Sequence, residues 1–260
     1  MNPVLETIHQ RKSVRAYENM PIPDEIRRSI LDAAMRAPTA GNMMLYSVIE
    51  ITNQAVKDRL VETCDNQPFI ATAPWVLLFL ADYQRWYDFF KFSGVESYCR
   101  EQGTVMLKPQ EGDLFLACCD ALIAAQTAVI AAEAFGLGSC YIGDILENYE
   151  IHQQMFDLPQ YAVPIAMLCI GYPTDEQIAR EKTSRLAAEF VIYQDCYRRL
   201  DEQDFERMVA NHYAQTEAAQ SVRPKVGLQM YKQKFSAAFS EEMRRSVSAM
   251  LSNWAVGGSS

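Results

Sequence analysis

The 260-residue sequence lacks the short motifs that mark several common enzyme classes. It has neither a GxxxxGK[ST] phosphate loop nor a GxGxxG dinucleotide fingerprint, which argues against a P-loop nucleotidase and a Rossmann dehydrogenase. Its histidines are His9, His152 and His212, and none lies beside a Gly-x-Ser-x-Gly elbow or an obvious cysteine partner. A hydrolase with an activated serine or cysteine is therefore a poor interpretation.

Cysteine pairs with metal-binding spacing are also missing. The seven cysteines are odd in number, none forms a CxxC pair, and most lie within apolar runs. We predict reduced, buried thiols and no metal site. Cys118 and Cys119 lie in a very apolar segment, so we predict that they pack in the core and take no part in redox chemistry.

Basic residues are fewer than acidic ones, with 24 Lys and Arg against 33 Asp and Glu. This balance excludes a broad surface of the nucleic-acid-binding kind, so any anion site must be local. Uncharged apolar stretches such as 68–81 fall short of the roughly 20 residues that span a bilayer. The first residues lack the apolar core of a secretory signal. We expect a cytoplasmic protein with neither nucleic acid nor membrane as a partner.

What the sequence does contain is an alternation of helical and strand-like patterns, which indicates an α+β fold. Asn2 and Pro3 predict the start of a first helix. Further helical patterns lie at 26–34, 54–63 and 150–156, and strand-like patterns lie at 47–52, 75–81, 139–142 and 163–171. The aromatic-rich stretch 83–109 has too weak a periodicity to assign.

The chain changes character beyond Arg185, where charge increases and apolar patterning weakens. We predict a last strand at 189–193 and helices at 201–219 and 241–254. The extension has too little apolar surface for a core of its own. We therefore divide the chain into a main domain, 1–200, and a helical C-terminal extension, 201–260, that packs on the body or on a partner subunit.

The segment 113–135 gives the strongest helical signal, and we predict that Asp113 caps it and that Gly136 ends it. Its residues are apolar or small almost all round. Such a helix must be buried on most sides. One subunit rarely covers that much of one helix, so a subunit interface is the predicted second cover.

Two short segments have residues suited to ligand binding. Arg11, Lys12, Ser13 and Arg15 follow the first helix, and in an extended segment positions 11, 13 and 15 share a side. Guanidinium groups around a hydroxyl suit a phosphate, although cations at a helix end also offset its dipole. The second segment, 136–144, ends a strand at Gly143, which either allows a flat ligand to approach the backbone or forms only a turn.

Six features stand out together: R-x-S-x-R at 11–15, a Pro-Thr-x-x-Asn loop at 38–42, Gln67, the segment GLGSCYIGD at 136–144, a strand end of the form Pro-x-x-x-x-x-x-Gly-Tyr-Pro at 164–173, and Arg185. In order and spacing they resemble the FMN-dependent nitroreductase family, in particular its larger, NADPH-type branch with a long C-terminal extension. The resemblance covers roughly residues 4–200. It implies a mainly antiparallel sheet flanked by helices and a homodimer built around the long helix.

The resemblance also implies an FMN site to which both subunits contribute. Arg11, Ser13 and Arg185 are the residues it associates with the phosphate. Lys182 is a further candidate for the phosphate, one position away from the lysine of the family pattern, and Lys12 is a candidate for cofactor binding with no assigned contact. It places Arg15 and Gln67 at the pyrimidine edge, and Thr39, Ala40 and Gly41 against the cofactor of the other subunit. Tyr141, Ile142, Gly143 and Asp144 would run along the ring, with a backbone N–H near N5.

The implied activity is hydride transfer from NADPH or NADH through FMN to nitroaromatics, quinones or similar small acceptors by a ping-pong mechanism, with no protein acid or base. Arg223 and Lys225 are candidates for the 2′-phosphate of NADPH, or a solvated charge pair. Other interpretations stay open: a flavin reductase, ene-reductase or dehalogenase on the same fold, or a flavin-binding protein without turnover.

Overall fold

The computed structural model describes residues 2–213 and 223–256, which form an α+β fold as predicted. The strands are β1 (Tyr46–Ile51), β2 (Trp75–Asp82), β3 (Gly138–Ile142) and β4 (Ala162–Gly171). The helices are α1 (Pro3–Gln10), α2 (Asp24–Met35), α3 (Gln54–Thr63), α4 (Phe69–Thr72), α5 (Gln84–Phe92), α6 (Val95–Glu101), α7 (Glu111–Ala134), α8 (Tyr149–Met155), α9 (Asp175–Ala179), α10 (Glu202–Tyr213), α11 (Arg223–Met230) and α12 (Ala238–Val256).

The strands form one antiparallel sheet in the order β1-β2-β4-β3. Every residue of the central strand β2 is buried. A strand covered on both faces needs apolar side chains at every position, which explains why WVLLFLA shows no alternation. The expectation of a mainly antiparallel sheet is confirmed.

Helices cover both faces of this sheet. On one face α2 and α7 pack on the strands, and Ile30 and Ala125 share a core cluster with Leu77. On the other face α3 supplies Leu60, which clusters with Val76. Burial of each large aliphatic side chain contributes about 1.5–3 kcal/mol, so the alternate side chains of β2 hold the two helical layers to one sheet.

Helix α7 starts earlier than predicted, and its cap differs. Gln110 is the N-cap residue, and the Asp113 carboxylate accepts the backbone N–H of Gln110 at 2.9 Å from inside the first turn. The prediction that Asp113 itself caps the helix is therefore wrong. Gly136, with φ of 74°, lies just past the end of the helix as predicted.

One side of α7 is buried and the other is exposed. Ala121 and Ala125 are fully buried, whereas the side chains of Phe115 and Leu122 are 69% and 46% exposed. Within the described residues, α7 alone is long and apolar enough to cross a bilayer, although 44% of its most apolar window is buried in the fold. A core helix of a soluble protein has the same composition.

All seven cysteines are free thiols, but only Cys64, Cys140 and Cys169 are buried. Cys118 is half-buried and Cys119 is exposed on the outer side of α7. The prediction that this pair packs in the core is wrong for a single chain, because the helix turns residue 119 away from the sheet.

The aromatic stretch that resisted assignment forms α5 and α6, joined at Gly94 with φ of 81°. The strand predicted at 189–193 is wrong, because a 3₁₀ helix spans Ala188–Phe190 instead. The helix predicted at 201–219 is described as α10 up to Tyr213, and its last six residues lie outside the described part.

The chain divides into two compact units, one running up to Arg180 and resuming at Glu242, the other spanning Glu181–Glu241. This division differs from the predicted boundary at residue 200. Most of α12 belongs to the first unit, where Trp254 is fully buried and its Nε1 donates to the carbonyl of Gln110 at 3.0 Å. Trp254, together with the buried Met250 and Ser246, thus attaches a helix that is otherwise charged and weakly patterned.

Candidate functional site

The segment that contains Arg11, Ser13 and Arg15 lies along the free edge of β3. The N–H of Val14 donates to the carbonyl of Ser139 at 2.9 Å, and Ser13 forms a parallel bridge with the same residue. The approach is close, since a Cβ added to Gly138 would lie 2.5 Å from Cγ2 of Val14. Glycine at 138 therefore allows the segment to lie against the sheet.

Three guanidinium groups converge on this edge. Arg11, Arg15 and Arg180 all act electrostatically on the buried thiol of Cys140, and the guanidinium of Arg180 donates to the carbonyl of Ser13. We call Arg11, Arg15 and Arg180 the cationic end. In the described part of the chain, neither the Ser13 hydroxyl nor the Arg11 guanidinium has a recorded hydrogen-bond partner, so both have donors to offer.

The cationic end affects the pKa of the buried Cys140 thiol. Burial raises the pKa of the Cys140 thiol, and the three arginines oppose that rise because they favour the thiolate. An acidic protein thus keeps a positive potential at one strand edge. Such a site suits a phosphate or another compact anion.

Arg180 was not found by sequence reasoning. It follows the last helical residue of α9, and nothing in the local pattern distinguishes it from the other charged residues at 175–185. Its position depends on the return of the chain from β4 to the segment at 11–15, where the backbone N–H of Arg15 also donates to Oε1 of Gln177 at 3.2 Å.

Lys12 points to a different environment from Arg11 and Arg15. Its Nζ donates to the carbonyls of Ile178 and Arg180 at 2.6 and 2.5 Å. Two of its three N–H bonds therefore hold the end of α9. Lys12 fixes the backbone that bears Arg180, and it has at most one donor left for a ligand.

A carboxyl group lies beside the cationic end. Burial raises the pKa of Glu133 to about 7, against the opposing effect of Arg11 and Lys12. Its Oε1 is buried and has no hydrogen-bond partner in the described structure. Since a large fraction of Glu133 is uncharged near neutral pH, it cancels little of the positive potential.

The opposite end of β3 leads to Gln67. The amide nitrogen Nε2 of Gln67 donates to Oδ2 of Asp144 at 2.6 Å and to the carbonyl of Cys64 at 3.1 Å. Gly143 lies between β3 and Asp144, and a Cβ added there would meet no atom within 4 Å. The backbone at Gly143 therefore borders open space, as a flat ligand requires.

Carboxyl groups surround this second end. Glu147 is buried, and its pKa is raised to about 8 by burial first and then by repulsion from Asp144 and by their mutual hydrogen bond. Asp65 and Glu242 add further repulsion. We call Asp65, Asp144, Glu147 and Glu242 the acidic end. Glu147 holds a proton at neutral pH, which relieves the repulsion.

Two residues of β3 lie between these ends. The hydroxyl of Tyr141 lies 3.4 Å from Oε1 of Gln126 on α7, and burial raises the pKa of Tyr141 to about 12, so the phenol stays protonated. The side chain of Ile142 is only 1% exposed and belongs to the core. Ile142 can therefore meet a ligand only through its backbone.

The loop at Thr39, Ala40 and Gly41 is tied to the middle of α7 by Asp120. This buried carboxylate accepts the Thr39 hydroxyl and the N–H groups of Ala40 and Leu45, the latter two at 3.0 Å each. Sequence reasoning missed Asp120, although the available signal was that it is the one charged residue in the apolar stretch 114–132.

This loop and the cationic end lie at different heights along α7. Asp120 holds the loop, while Glu133 lies beside Arg11 and Lys12. Thirteen residues of helix separate them, which is roughly 20 Å at 1.5 Å per residue. The predicted site residues of one chain therefore form two separate groups.

The remaining candidates belong to the second unit. Nη1 of Arg185 lies 3.4 and 3.5 Å from the carbonyls of Thr183 and Ser184. Lys182 precedes them in an extended segment. The side chains of Arg223 and Lys225 lie outside the described part, and only their backbone, at the start of α11, is described. Their predicted roles stay predictions.

The chain is similar to several known proteins. The chain is 29% identical over 216 residues to an oxygen-insensitive NADPH nitroreductase of Salmonella typhimurium, covering 82% of this chain and 83% of that one. It is 31% identical over 211 residues to an FMN reductase [NAD(P)H] of Bacillus subtilis, covering 78% and 77%. The solved structure of NfrA1 from Bacillus megaterium superposes with a TM-score of 0.78 at 26% identity, covering 96% and 98%.

The family model described as "Nitroreductase family" matches residues 8–172. This range starts at α1 and ends just past β4. It includes the whole sheet, the segment at 11–15, Gln67 and Asp144. The chain therefore belongs to the nitroreductase family.

Proposed function

We propose that the protein is an FMN-dependent oxidoreductase that transfers hydride from NADPH or NADH to small acceptors such as nitroaromatics and quinones. The observation that supports this most is the cationic end, a positive site on one strand edge of a protein with net charge −9. The names of the Salmonella and Bacillus relatives supply the donor and the flavin, which the strand edge alone does not identify.

The residues present fit FMN. Arg11 and the Ser13 hydroxyl would hold its phosphate, and Arg180 joins them because it is fixed on the Ser13 carbonyl. Arg185 and Lys182 stay candidates for the same phosphate. Along β3, Tyr141 and the backbone of Gly143 would border the ring, and the open space at Gly143 leaves room for it.

When bound, FMN supplies the chemistry of hydride acceptance and release. The task of Arg15 is electrostatic, because a fixed guanidinium at the pyrimidine edge favours the negative charge that builds up there on reduction. No acid or base of the chain is needed for this transfer. A shared open site, used first by the nicotinamide and then by the acceptor, gives ping-pong kinetics.

The homodimer belongs to the same proposal. The outer side of α7 exposes Phe115, Leu116 and Leu122, and α1 exposes Val4 and Leu5. Large contiguous apolar surfaces of this kind mark interfaces. A partner subunit on α7 would bring its own 39–41 loop toward this cofactor, which explains why that loop lies far from the cationic end of its own chain. Light scattering should give twice the 29.5 kDa chain mass.

Reduction of free flavin is the second candidate, favoured by the 31% identity to the Bacillus subtilis FMN reductase. The two candidates differ in the acceptor. A structural feature that bears on the choice is the helical pair α5 and α6, which exposes Phe89, Phe92 and Tyr98 and so offers aromatic surface to a flat acceptor.

The proposal is tested by NADPH oxidation with a nitroaromatic, a quinone or free FMN as the acceptor. We expect acceptor-dependent turnover and parallel double-reciprocal lines when both substrates are varied. A protein that binds FMN but shows no turnover with any donor and acceptor would be a flavin-binding protein, and the enzymatic proposal would then fail.

A further inference from the structure

The side-chain amide of Gln67 has one hydrogen-bonding group without a recorded partner in the described part of the chain, and the structure identifies which one. An amide nitrogen has two N–H donors. Nε2 uses both, on Oδ2 of Asp144 at 2.6 Å and on the Cys64 carbonyl at 3.1 Å. In the described part of the chain, no hydrogen bond to Oε1 of Gln67 is recorded. The oxygen is therefore the group that Gln67 presents.

The alternative orientation of this amide is excluded by chemistry. If the amide were flipped, Oε1 would face a carboxylate oxygen and a carbonyl oxygen, both of which are acceptors. The 2.6 Å separation from Asp144 would then bring two unprotonated oxygens together. Asp144 is the anionic member of this pair of partners, so it imposes most of the orientation.

Asp144 is itself well fixed. It lies in the 3₁₀ helix Gly143–Leu146, and its backbone carbonyl accepts the N–H of Glu147 at 3.0 Å. The side chain of Glu147 is buried close enough to that of Asp144 for the two carboxyl groups to interact electrostatically. The backbone hydrogen bond of this turn thus helps to hold Asp144 in place as an acceptor for Gln67.

The geometry points to Asp144 as a positioning residue that fixes the amide of Gln67 with its oxygen toward the ligand, so that the site selects a ring bearing an N–H donor at that point. This inference rests on the proposed function, in which the ligand is FMN. The isoalloxazine ring has one such donor on its pyrimidine edge, the imide N3–H, between two carbonyl groups. An amide free to rotate could instead donate to those carbonyls, and it would discriminate less between rings with and without the N–H donor.

The test uses apoprotein and two ligands, FMN and its N3-methylated analogue, which lacks the donor. We expect the wild-type chain to prefer FMN by at least about tenfold in Kd, which corresponds to roughly 1.4 kcal/mol. Asp144→Ala frees the amide, and the preference should fall to about threefold or less. Asp144→Asn keeps an acceptor oxygen and should restore most of the preference.

The matched control is Asp157→Asn, which removes an exposed carboxylate that is not part of the acidic end. It should leave the preference unchanged. Equal preference in the wild type and in Asp144→Ala, with FMN still bound by both, would overturn the role of Asp144. Failure of the wild-type chain to bind FMN at all would instead overturn the proposed function, and this inference with it.

A second measurement avoids substitution, in case Asp144→Ala fails to fold. FMN labelled with ¹⁵N at N3 is bound to the wild-type protein, and the N3–H proton is followed by NMR. A hydrogen bond to Oε1 predicts a downfield proton that exchanges slowly with water. An N3–H resonance that exchanges as fast as in free FMN would contradict the inference.

Discussion

The two ends of β3 differ in how they hold groups of like charge close together. At the cationic end, three positive charges lie near the buried thiol of Cys140, those of Arg11, Arg15 and Arg180. They partly offset the rise in the thiol pKa that burial causes. At the acidic end, Asp144 and Glu147 are like charges too, but Glu147 is buried and avoids repulsion by keeping a proton. Guanidinium groups cannot lose their charge at any ordinary pH, whereas carboxyl groups can. One end therefore stays available for an anion, and at the other the protonated Glu147 adds no negative charge beside Asp144.

This difference matches the two parts of the proposed cofactor. FMN has a phosphate dianion at one end and an uncharged ring with a polar edge at the other. Cys140 and Asp144 mark the two ends and lie four positions apart in the sequence, which is roughly 13 Å for extended chain. Substitutions at one end at a time test whether each end binds its own part of the cofactor.

The largest effect is expected at the cationic end. The double substitution Arg11→Ala and Arg180→Ala should weaken FMN binding about 100-fold, since hydrogen bonds to charged groups contribute roughly 1.5–3 kcal/mol each. Riboflavin has no phosphate, so its Kd should change by less than about twofold. Isothermal titration of both ligands measures the contrast, with Arg36→Ala, an exposed arginine at the end of α2, as the control.

Equal weakening of FMN and riboflavin would contradict the assignment. It would mean that the arginines support the fold through contacts such as that between Arg180 and the Ser13 carbonyl, and that the phosphate lies elsewhere.

A smaller effect is expected from Arg15→Ala. Arg15 belongs to the cationic end, but its proposed place is the pyrimidine edge of the ring and not the phosphate, which is left to Arg11 and Arg180. The rate of flavin reduction by NADPH should fall about tenfold, which is 1.36 kcal/mol of transition-state stabilisation. Arg15→Lys keeps the charge but loses the planar fork, so it should recover part of the rate. Stopped-flow absorbance follows the reduction. If Arg15→Ala reduces at the wild-type rate, the positive charge has no role at the ring.

The smallest effect concerns stability at the acidic end. The pKa of Glu147 is about 8 in the folded chain against 4.5 for an ordinary glutamate. The folded state therefore binds the proton more tightly, and the free energy of unfolding falls as pH rises from about 4.5 to about 8. Burial raises this pKa most, and the carboxyl groups of Asp144, Asp65 and Glu242 raise it further, so these effects together determine the window.

Glu147→Gln keeps the shape and removes the titration. Its Tm should exceed that of the wild type by about 3 °C at pH 9 and match it near pH 4. Glu25→Gln, on the exposed face of α2, is the control and should show no such pH dependence. A Tm difference that is constant from pH 4 to pH 9 would show that Glu147 is not protonated in the folded chain.

The sequence predicts the framework well because the framework follows local rules. The helix at Gln54–Thr63 and the continuous apolar run of β2 need only periodicity and burial. The grouping of Arg11 with Arg15 follows from alternation along an extended segment. These features depend on neighbours within a few residues.

The errors and omissions arise where distant residues decide. Arg180 joins the cationic end only because the chain returns from β4, and the Asp144 contact with Gln67 spans 77 positions. Asp120 is the one charged residue in the apolar stretch 114–132, and its partners lie in the 39–45 loop, 75 or more positions away. The predicted strand at 189–193 had β-branched residues, but no neighbouring strand pairs with it in the described chain.

The proposed function depends most on whether the purified protein binds FMN. The direct measurement is the absorbance spectrum of the wild-type protein, followed by release and quantification of the flavin per chain. We predict flavin absorbance bands and one FMN for each 29.5 kDa chain, with riboflavin bound less tightly. A colourless protein that also fails to take up added FMN would contradict the account.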